Sequence, residues 1–208
     1  MGRDLDAKCR LCRREGMKLF LKGDRCLSPK CPIEKKGAVP PGVHGLGRRR
    51  RQLSEYGVQL REKQKAKRLY GLREKQFRKY FTRARKEKQA TGEVLFQLLE
   101  SRLDNVVYRL GLTPSRAMAR QIISHGHIQV NGKKVDIPSY EVKLGETVQL
   151  TPQGVEISVI KDYLARKEMT VPAWLEKKAT VGQVKRLPKR DEIEANINEQ
   201  AIVEFYSR

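Results

Sequence analysis

The apolar positions predict three amphipathic helices between residues 54 and 111. The first begins at Ser54, a suitable N-cap, and ends at Gly71. The second is defined by four side chains spaced i, i+3, i+4, i+7, namely Phe77, Tyr80, Phe81 and Ala84. The third is longer and ends at Gly111, and its apolar face is formed by Val94, Leu95, Leu99, Leu103, Val106 and Leu110.

The pattern after Gly111 changes to a short helix and then to alternating segments. Thr113 and Pro114 have the character of an N-cap and a first helical position, for a helix that ends at Gly126. Residues 127–130 alternate and turn at Asn131-Gly132, the strongest short signal for a β-hairpin.

Further alternation predicts more strands. Residues 140–142 and 147–150 form a second hairpin-like pair, and residues 155–159 alternate as an extension of these strands would; a helix is expected over 160–166. Together these elements predict an α+β fold, in which short helices pack on a small antiparallel sheet next to a mainly helical basic domain.

The charge of the chain is concentrated at one end. Residues 1–90 contain 28 Lys and Arg against 9 Asp and Glu, a net charge of +19, whereas residues 91–140 carry +2 and residues 141–208 carry zero. Such an excess repels itself unless a polyanion is bound. Nucleic acid is the expected partner, because neutralising phosphates releases counterions.

Membrane partners fit the sequence less well. A basic helix on a membrane surface pairs its cations with a broad Leu, Trp and Phe face, but the one Trp, Trp174, lies outside the basic region. No apolar run exceeds three residues, which excludes a transmembrane helix, and the N-terminus lacks the apolar stretch of a signal peptide.

All four cysteines lie near the N-terminus in a C-x2-C-x13-C-x4-C pattern, formed by Cys9, Cys12, Cys26 and Cys31. Two close pairs separated by a short loop match the spacing of a four-thiolate metal site. One zinc ion is the expected ligand, and an iron–sulfur cluster is the alternative. Two disulfides or inert buried thiols are less favoured, since the chain has intracellular character and few apolar neighbours surround the cysteines.

A site with four protein ligands is structural, because no position remains open for water or substrate. Metal binding is expected to fold a knuckle over residues 1–45 that holds nearby cations at fixed spacing. His44 is then a loop residue and a candidate contact to RNA.

Five short motifs follow one another in the middle of the chain, namely RLDNVVYRLG at 102–111, SR at 115–116, ARQ at 119–121, HGHI at 125–128 and VNG at 130–132. Together they resemble a widespread RNA-binding module named after small-subunit ribosomal protein number four. The whole chain resembles the bacterial form of that family, with the metal-binding cysteines first, a PPGVHG turn at 40–45 and VEFYSR at 203–208.

The resemblance implies a structural constituent of the small ribosomal subunit, cytoplasmic and ribosome-bound. Members of the family bind the 5′ domain of small-subunit ribosomal RNA early in assembly and nucleate its folding. They contact ribosomal protein five, and together with proteins three and five they line the messenger RNA entry channel. The contact with protein five influences translational accuracy. In several bacteria they also repress translation of their own operon. No membrane or DNA partner is implied.

The RNA-facing residues are carried over by position. They are Arg10, Arg13, Arg14, Lys22, Lys35, Lys36, His44, Arg48, Arg49, Arg50, Arg51, Arg61, Lys63, Lys65, Lys67, Arg68, Lys75, Arg78, Lys79, Arg116, Arg120, Gln121, His125, Lys133 and Lys134.

The predicted domains are a knuckle over 1–45, a basic helical domain over 46–98, an RNA-binding module over 99–165 and a connecting segment over 166–189. In the family the tail, about 190–208 here, completes the helical domain.

The alternative function is an RNA-modifying enzyme that carries the same module. No paired carboxylates lie in a pocket-forming setting, and no phosphate-binding G-x-x-x-x-G-K-[ST] loop is present, so catalysis is not expected. A zinc-dependent DNA regulator would require a groove-reading helix with half-site symmetry, for which the sequence has no signal.

Overall fold

A computed structural model describes residues 6–45, 52–166, 170–193 and 197–208. The chain divides into two compact units, residues 1–92 with 195–208, and residues 93–194. Helices and one small antiparallel sheet make up the described residues, so the α+β class is confirmed. In the described ranges no helix has the length and apolar character needed to cross a bilayer.

The first unit begins with three short helices around the cysteines, α1 (Lys8–Glu15), α2 (Asp24–Leu27) and α3 (Pro32–Lys36). A 3-10 turn follows at Val43–Gly45. The chain leaves α1 through Gly16, whose φ of 73° is a left-handed C-cap that disfavours a side chain.

Two longer helices follow, as predicted. Helix α4 (Glu55–Leu69) begins at Ser54, whose hydroxyl accepts a hydrogen bond from the Gly57 backbone at 3.2 Å. Helix α5 (Glu74–Ala84) buries Phe77, Phe81 and Ala84 on one face.

The C-terminal helix α11 (Glu199–Ser207) packs on α4 and completes this core. Tyr206 stacks on Phe81 with ring centroids 4.6 Å apart and on Phe77 at 6.3 Å. Asn198 caps the helix by accepting a hydrogen bond from the Ala201 backbone. The first unit is therefore built from both ends of the sequence.

The predicted single helix from Val94 to Gly111 is wrong, because two helices occupy that stretch. Helix α6 (Thr91–Glu100) and helix α7 (Leu103–Arg109) are separated by Ser101 and Arg102. Arg102 is extended, with φ −65° and ψ 138°, and forms a β-bridge with Glu141. Neighbouring backbone groups pair across the same contact, so tertiary hydrogen bonds outweigh the local helical periodicity.

Helix α8 (Arg116–Ser124) begins two residues later than predicted. Ser115, not Thr113, is the N-cap, and its hydroxyl accepts from the Met118 backbone at 3.3 Å. The hairpin at Asn131-Gly132 is confirmed, since both residues have positive φ, 49° and 76°, as a tight two-residue turn requires.

The second unit contains one antiparallel sheet with strand order β2-β1-β3-β5-β4. The strands are β1 (Ile128–Val130), β2 (Lys133–Lys134), β3 (Thr147–Leu150), β4 (Leu175–Lys178) and β5 (Val181–Val184).

Three predictions for this part of the chain differ from the structure. Residues 140–142 do not pair with β3, and Glu141 bridges to Arg102 instead. Residues 155–159 span the end of one short helix, α9 (Pro152–Val155), a turn, and the start of another, α10 (Ser158–Leu164). The predicted connecting segment over 166–189 supplies two strands, of which β5 pairs with β3 and β4 pairs with β5. Trp174 and Leu175 of this segment lie in the core of the unit.

Candidate nucleic-acid interface

Four free thiols form one cluster in the first unit. Cys12, Cys26 and Cys31 are buried and Cys9 is half-buried. Burial raises the pKa of Cys12, and the other three thiols lie close enough for their charge to raise it further. The backbone N–H of Lys22 donates to Cys26 Sγ at 3.3 Å, and a backbone group at Leu19 bonds the Cys12 sulfur.

The cluster has the donor chemistry of a metal site but not its geometry. Four soft sulfurs and N–H···S bonds suit a thiolate-bound ion. In the part of the chain that the structure describes, however, no group of three or more His, Cys, Asp or Glu side chains is arranged so that it could hold a metal ion. The fold brings the four thiols together, and the binding of a metal ion by them stays a prediction.

The cations around the cysteines divide into internal and exposed groups. Arg13 faces inward, and its guanidinium donates to the carbonyl oxygens of Val39 at 2.8 Å and Pro40 at 3.0 Å, which ties the PPG turn to α1. The exposed group consists of Arg10, Arg14, Lys22, Lys35 and Lys36. His44 lies in the 3-10 turn at Val43–Gly45.

Glu15 joins the cysteine-containing segment to helix α4. Its side chain is 1% exposed and accepts from Arg61 at 3.3 Å and from Arg68. Burial raises the pKa of Glu15 more than these arginines lower it. Two of the predicted RNA contacts therefore hold α1 against α4.

Glu74 gathers three further groups at the end of α4. Lys63 donates to it at 2.9 Å, Lys67 at 3.1 Å and the Tyr206 hydroxyl at 2.7 Å. Lys63 is buried, and its ammonium lies 4.3 Å from the centre of the Phe205 ring. Lys65 pairs within α4, with Glu62 at 2.5 Å. Lys63 and Lys67 hold α4 against α5, and Lys63 also contacts α11.

The cations of helix α5 face solvent. Lys75, Arg78 and Lys79 are all exposed, on the face opposite Phe77 and Phe81. The arginine run from Arg48 to Arg51 lies outside the described residues.

The second unit holds two of its predicted contact residues in a polar network. Asp104 of α7 is buried and bridges two arginines, accepting from Arg102 Nη2 at 2.8 Å and from Arg120 Nε at 3.1 Å. Arg120 is consequently half-buried rather than fully exposed.

Asn105 organises the neighbouring part of this network. Its amide nitrogen donates to the Glu100 carboxylate at 2.7 Å, and its amide oxygen accepts from Arg116 Nε at 2.7 Å. Glu100 is also bound bidentately by Arg109, at 3.0 and 3.1 Å.

The remaining predicted contacts of the second unit lie at the surface. Gln121 and His125 near the end of α8, and Lys133 and Lys134 in the hairpin, are all exposed. Lys134 lies across Gly126, where an added Cβ would come within 2.0 Å of its Cε. Gly126 therefore allows the lysine to cross the helix end, and its φ of 77° disfavours any side chain there.

Residues that contact the predicted cations but carry no positive charge were missed from the sequence. Among them are Glu15, Glu74, Asp104, Asn105 and Tyr108, whose ring centre lies 4.4 Å from Arg116 Cζ. No sequence signal singled out Asp104 and Asn105, because they occupy the expected polar positions between Leu103 and Val106 of the amphipathic pattern. Glu15 also had no signal, since its partners lie 46 and 53 residues away.

The family models and the relatives that match this chain all belong to one family of ribosomal proteins. Residues 3–100 match the family model of the ribosomal protein S4/S9 N-terminal domain, and residues 101–148 match the S4 domain. The chain is 56% identical to small ribosomal subunit protein uS4A of Symbiobacterium thermophilum and 57% identical to uS4 of Dictyoglomus turgidum. It is 54% identical to uS4 of Pelotomaculum thermopropionicum, and each of the three alignments covers 100% of both chains.

Proposed function

This chain belongs to the family of small ribosomal subunit protein uS4, and we propose that it binds the 5′ domain of small-subunit ribosomal RNA and nucleates the folding of that domain. It has a structural role in the small ribosomal subunit and is not an enzyme. It binds ribosomal RNA within the subunit, as the RNA-binding S4 domain at residues 101–148 implies.

The observation that carries the proposal is the separation of internal from exposed cations. Five cations of α4 are engaged in internal ion pairs, whereas Lys75, Arg78 and Lys79 of α5 and Lys133 and Lys134 of the hairpin face solvent. Exposed cations on a pre-ordered scaffold suit folded RNA, which is recognised largely through phosphates, shape and 2′-hydroxyls.

The same family membership supports further partners within the ribosome. Messenger RNA at the entry channel and small-subunit proteins five and three are the partners we propose, with an influence on translational accuracy. The same proposal includes a cytoplasmic, ribosome-bound location for the chain and repression of the translation of its own operon. The neutral charge balance of residues 141–208 supports a protein-facing role for that part of the chain.

Binding to a transcript of the bacterial 5′ domain, measured by filter retention across salt, tests the central proposal. We expect tight binding, and the logarithm of the association constant should fall steeply as the logarithm of the salt concentration rises. Lys79→Gln and Lys133→Gln should each reduce the slope by roughly 0.7 to 0.9, the contribution of one phosphate contact.

Lys65→Gln is the matched control, because it removes the same charge from a lysine engaged with Glu62. It should leave the slope close to that of the wild type. Equal affinity for random duplex DNA of the same length would contradict the proposal.

We also propose that the four cysteines bind one zinc ion, with an iron–sulfur cluster as the alternative. The support is the donor set, three buried sulfurs and two backbone hydrogen bonds to sulfur, which fit a thiolate-bound ion. Binding of one metal ion by all four cysteines would order a segment whose own hydrophobic core is small.

Native mass spectrometry tests the metal. We expect the mass of one zinc ion on the wild type, or of a cluster if the alternative holds, and its loss from Cys12→Ser. Ser28→Ala, in the same loop, should retain it. A wild-type protein purified with zinc and iron present that carries neither, yet resists proteolysis over residues 8–36, would count against the site.

A further inference from the structure

Phe20 has an unusual backbone conformation for its residue type. Its φ is 49°, in the left-handed region that a bulky side chain disfavours. The other non-glycine residues with positive φ in the described part of the chain are Asn131 and Ala179, and each lies in the two-residue turn of a hairpin, where a positive φ is usual. Phe20 lies instead in the loop between α1 and α2, so hairpin geometry does not account for its strain.

The backbone on both sides of Phe20 is anchored to the cysteines. A backbone group of Leu19 bonds the Cys12 sulfur, and the backbone N–H of Lys22 donates to Cys26 Sγ at 3.3 Å. The side chain of Leu19 is buried as well, at 1% exposed. Because its neighbours are held by these contacts, Phe20 is kept in a conformation that it would otherwise leave.

This conformation leaves an aromatic ring at the surface. Phe20 is 39% exposed, whereas the other four phenylalanines of the chain are buried or half-buried. Backbone strain and an exposed apolar ring both cost free energy in the isolated fold. Residues that carry such strain are concentrated at sites of function, which indicates that Phe20 contacts a ligand.

The surroundings of the ring are strongly basic. Residues 8–36 contain ten Lys and Arg against three Asp and Glu, and one of these acids, Glu15, is buried in ion pairs with α4. Lys22 and Arg25, close to Phe20 in the sequence, are exposed. This charge favours a polyanion, and nucleic acid is the polyanion that also carries flat rings able to stack on an aromatic side chain.

We propose that Phe20 stacks on an unpaired base of the bound RNA. Folded RNA presents such bases in loops and bulges, where aromatic side chains bind their faces. The neighbouring cations bind the phosphates on either side of that base. The anchored loop holds the ring at the surface before RNA binds, which lowers the ordering cost of the contact. This inference rests on the proposed RNA-binding function.

Affinity for the 5′-domain transcript tests the contact with Phe20→Asn. This change removes the ring, and asparagine tolerates a left-handed backbone. Affinity should fall about tenfold, within the usual range for one base stacked on an aromatic ring, while the salt slope is unchanged because no cation is lost.

Two matched controls accompany this variant. Phe20→Tyr keeps an aromatic ring at the same position and should bind as the wild type does. Leu27→Asn removes a non-aromatic side chain that is 74% exposed in the same segment, and it should also bind as the wild type does.

Limited proteolysis over residues 8–36 separates a contact with RNA from a role in packing. Phe20→Asn should resist the protease at least as well as the wild type, because the new side chain relieves the strain at this position. If the variant lost protease resistance and affinity together, and the Phe20→Tyr variant retained both, Phe20 would act through the fold and the inference would be wrong.

Phe20→Trp reports the contact directly. The one tryptophan of the wild type, Trp174, is buried, so the added indole is the exposed fluorophore. We expect the transcript to quench the emission of the added indole and to leave the emission of the wild type nearly unchanged.

Two further results would overturn the inference. One is equal affinity of Phe20→Asn and the wild type, and the other is unquenched emission of Phe20→Trp in the bound state. Failure of the proposed function is distinct, because the wild type itself would then not bind the transcript selectively.

Discussion

On helix α4, a positive charge on a side chain does not mean that the side chain is available to bind RNA. Arg61 and Arg68 bind the buried Glu15, and Lys63 and Lys67 bind Glu74. From the sequence alone these cations look the same as Lys75 or Lys79 on α5, which face solvent. The difference arises because each carboxylate lies on another element and is brought to α4 only by folding.

The pH dependence of stability tests the role of Glu74. Burial raises the pKa of this carboxyl, but hydrogen bonds from Lys63, Tyr206 and Lys67 outweigh burial and hold its pKa below the ordinary value of 4.5. A folded-state pKa below the unfolded one means that the carboxylate stabilises the fold above pH 4.5, and that this contribution is lost as the pH falls through the folded-state pKa.

Glu74→Gln should therefore destabilise the first unit at neutral pH and have little effect in acid. We expect a difference of about 1 kcal/mol near neutrality, since the carboxylate is half-exposed and its ion pairs are screened. Hydrogen exchange of α4 and α11 amides across the pH range measures it. A difference that stays constant down to strongly acidic pH would be evidence against the role of the charge.

The elements divide into those defined by near neighbours and those defined by distant ones. Helices α4 and α5 and the Asn131-Gly132 hairpin were predicted correctly, because caps, periodicity and turn residues act within a few positions. The break at Arg102 and the strands β4 and β5 were not predicted. The break depends on pairing with Glu141 and β5 depends on pairing with β3, each at least 30 residues away. Strand β4 pairs with β5, across a short turn at residues 179–180 that has no Asn-Gly signal.

The packing of strand β5 on helix α7 gives a prediction at this scale. A Cβ added to Gly182 would lie 2.3 Å from both methyl carbons of the buried Leu110, which forces a shift in the core. Gly182→Ala should lower the stability of the second unit by about 1 to 3 kcal/mol, the usual range for an overpacked core.

Denaturant unfolding followed by the fluorescence of Trp174 measures this change, because the one tryptophan is buried in the same core. Leu110→Val combined with Gly182→Ala should recover part of the loss by making room for the new methyl group. If Gly182→Ala were as stable as the wild type, the close approach of Leu110 to β5 would be wrong.

The two units each have a core, and the core of the first unit is formed by two separate stretches of the chain. Helix α11 at the C-terminus closes the core formed by α4 and α5, whereas residues 93–194 form the second unit. The first core is therefore complete only when the last residues of the chain are in place.

Ile202→Ala tests this division. Ile202 is fully buried in α11, and truncating it should destabilise the first unit by about 2 to 5 kcal/mol. Exchange of α4 and α5 amides should accelerate, while the Trp174 unfolding midpoint stays unchanged. Gln200→Ala, at an exposed position of the same helix, is the control. A parallel drop in the Trp174 midpoint would show that the two units unfold together.

The sequence by itself determined the α+β class, helices α4 and α5, the hairpin, the cysteine spacing and the location of the positive charge, and its motifs indicated the family. These properties depend on composition or on residues only a few positions apart. Only the tertiary structure decided which cations are engaged internally and which face solvent. Their partners are remote in sequence, as Glu15 is from Arg68 at 53 positions and Asn105 is from Arg116 at 11, so that choice is made when the cores form.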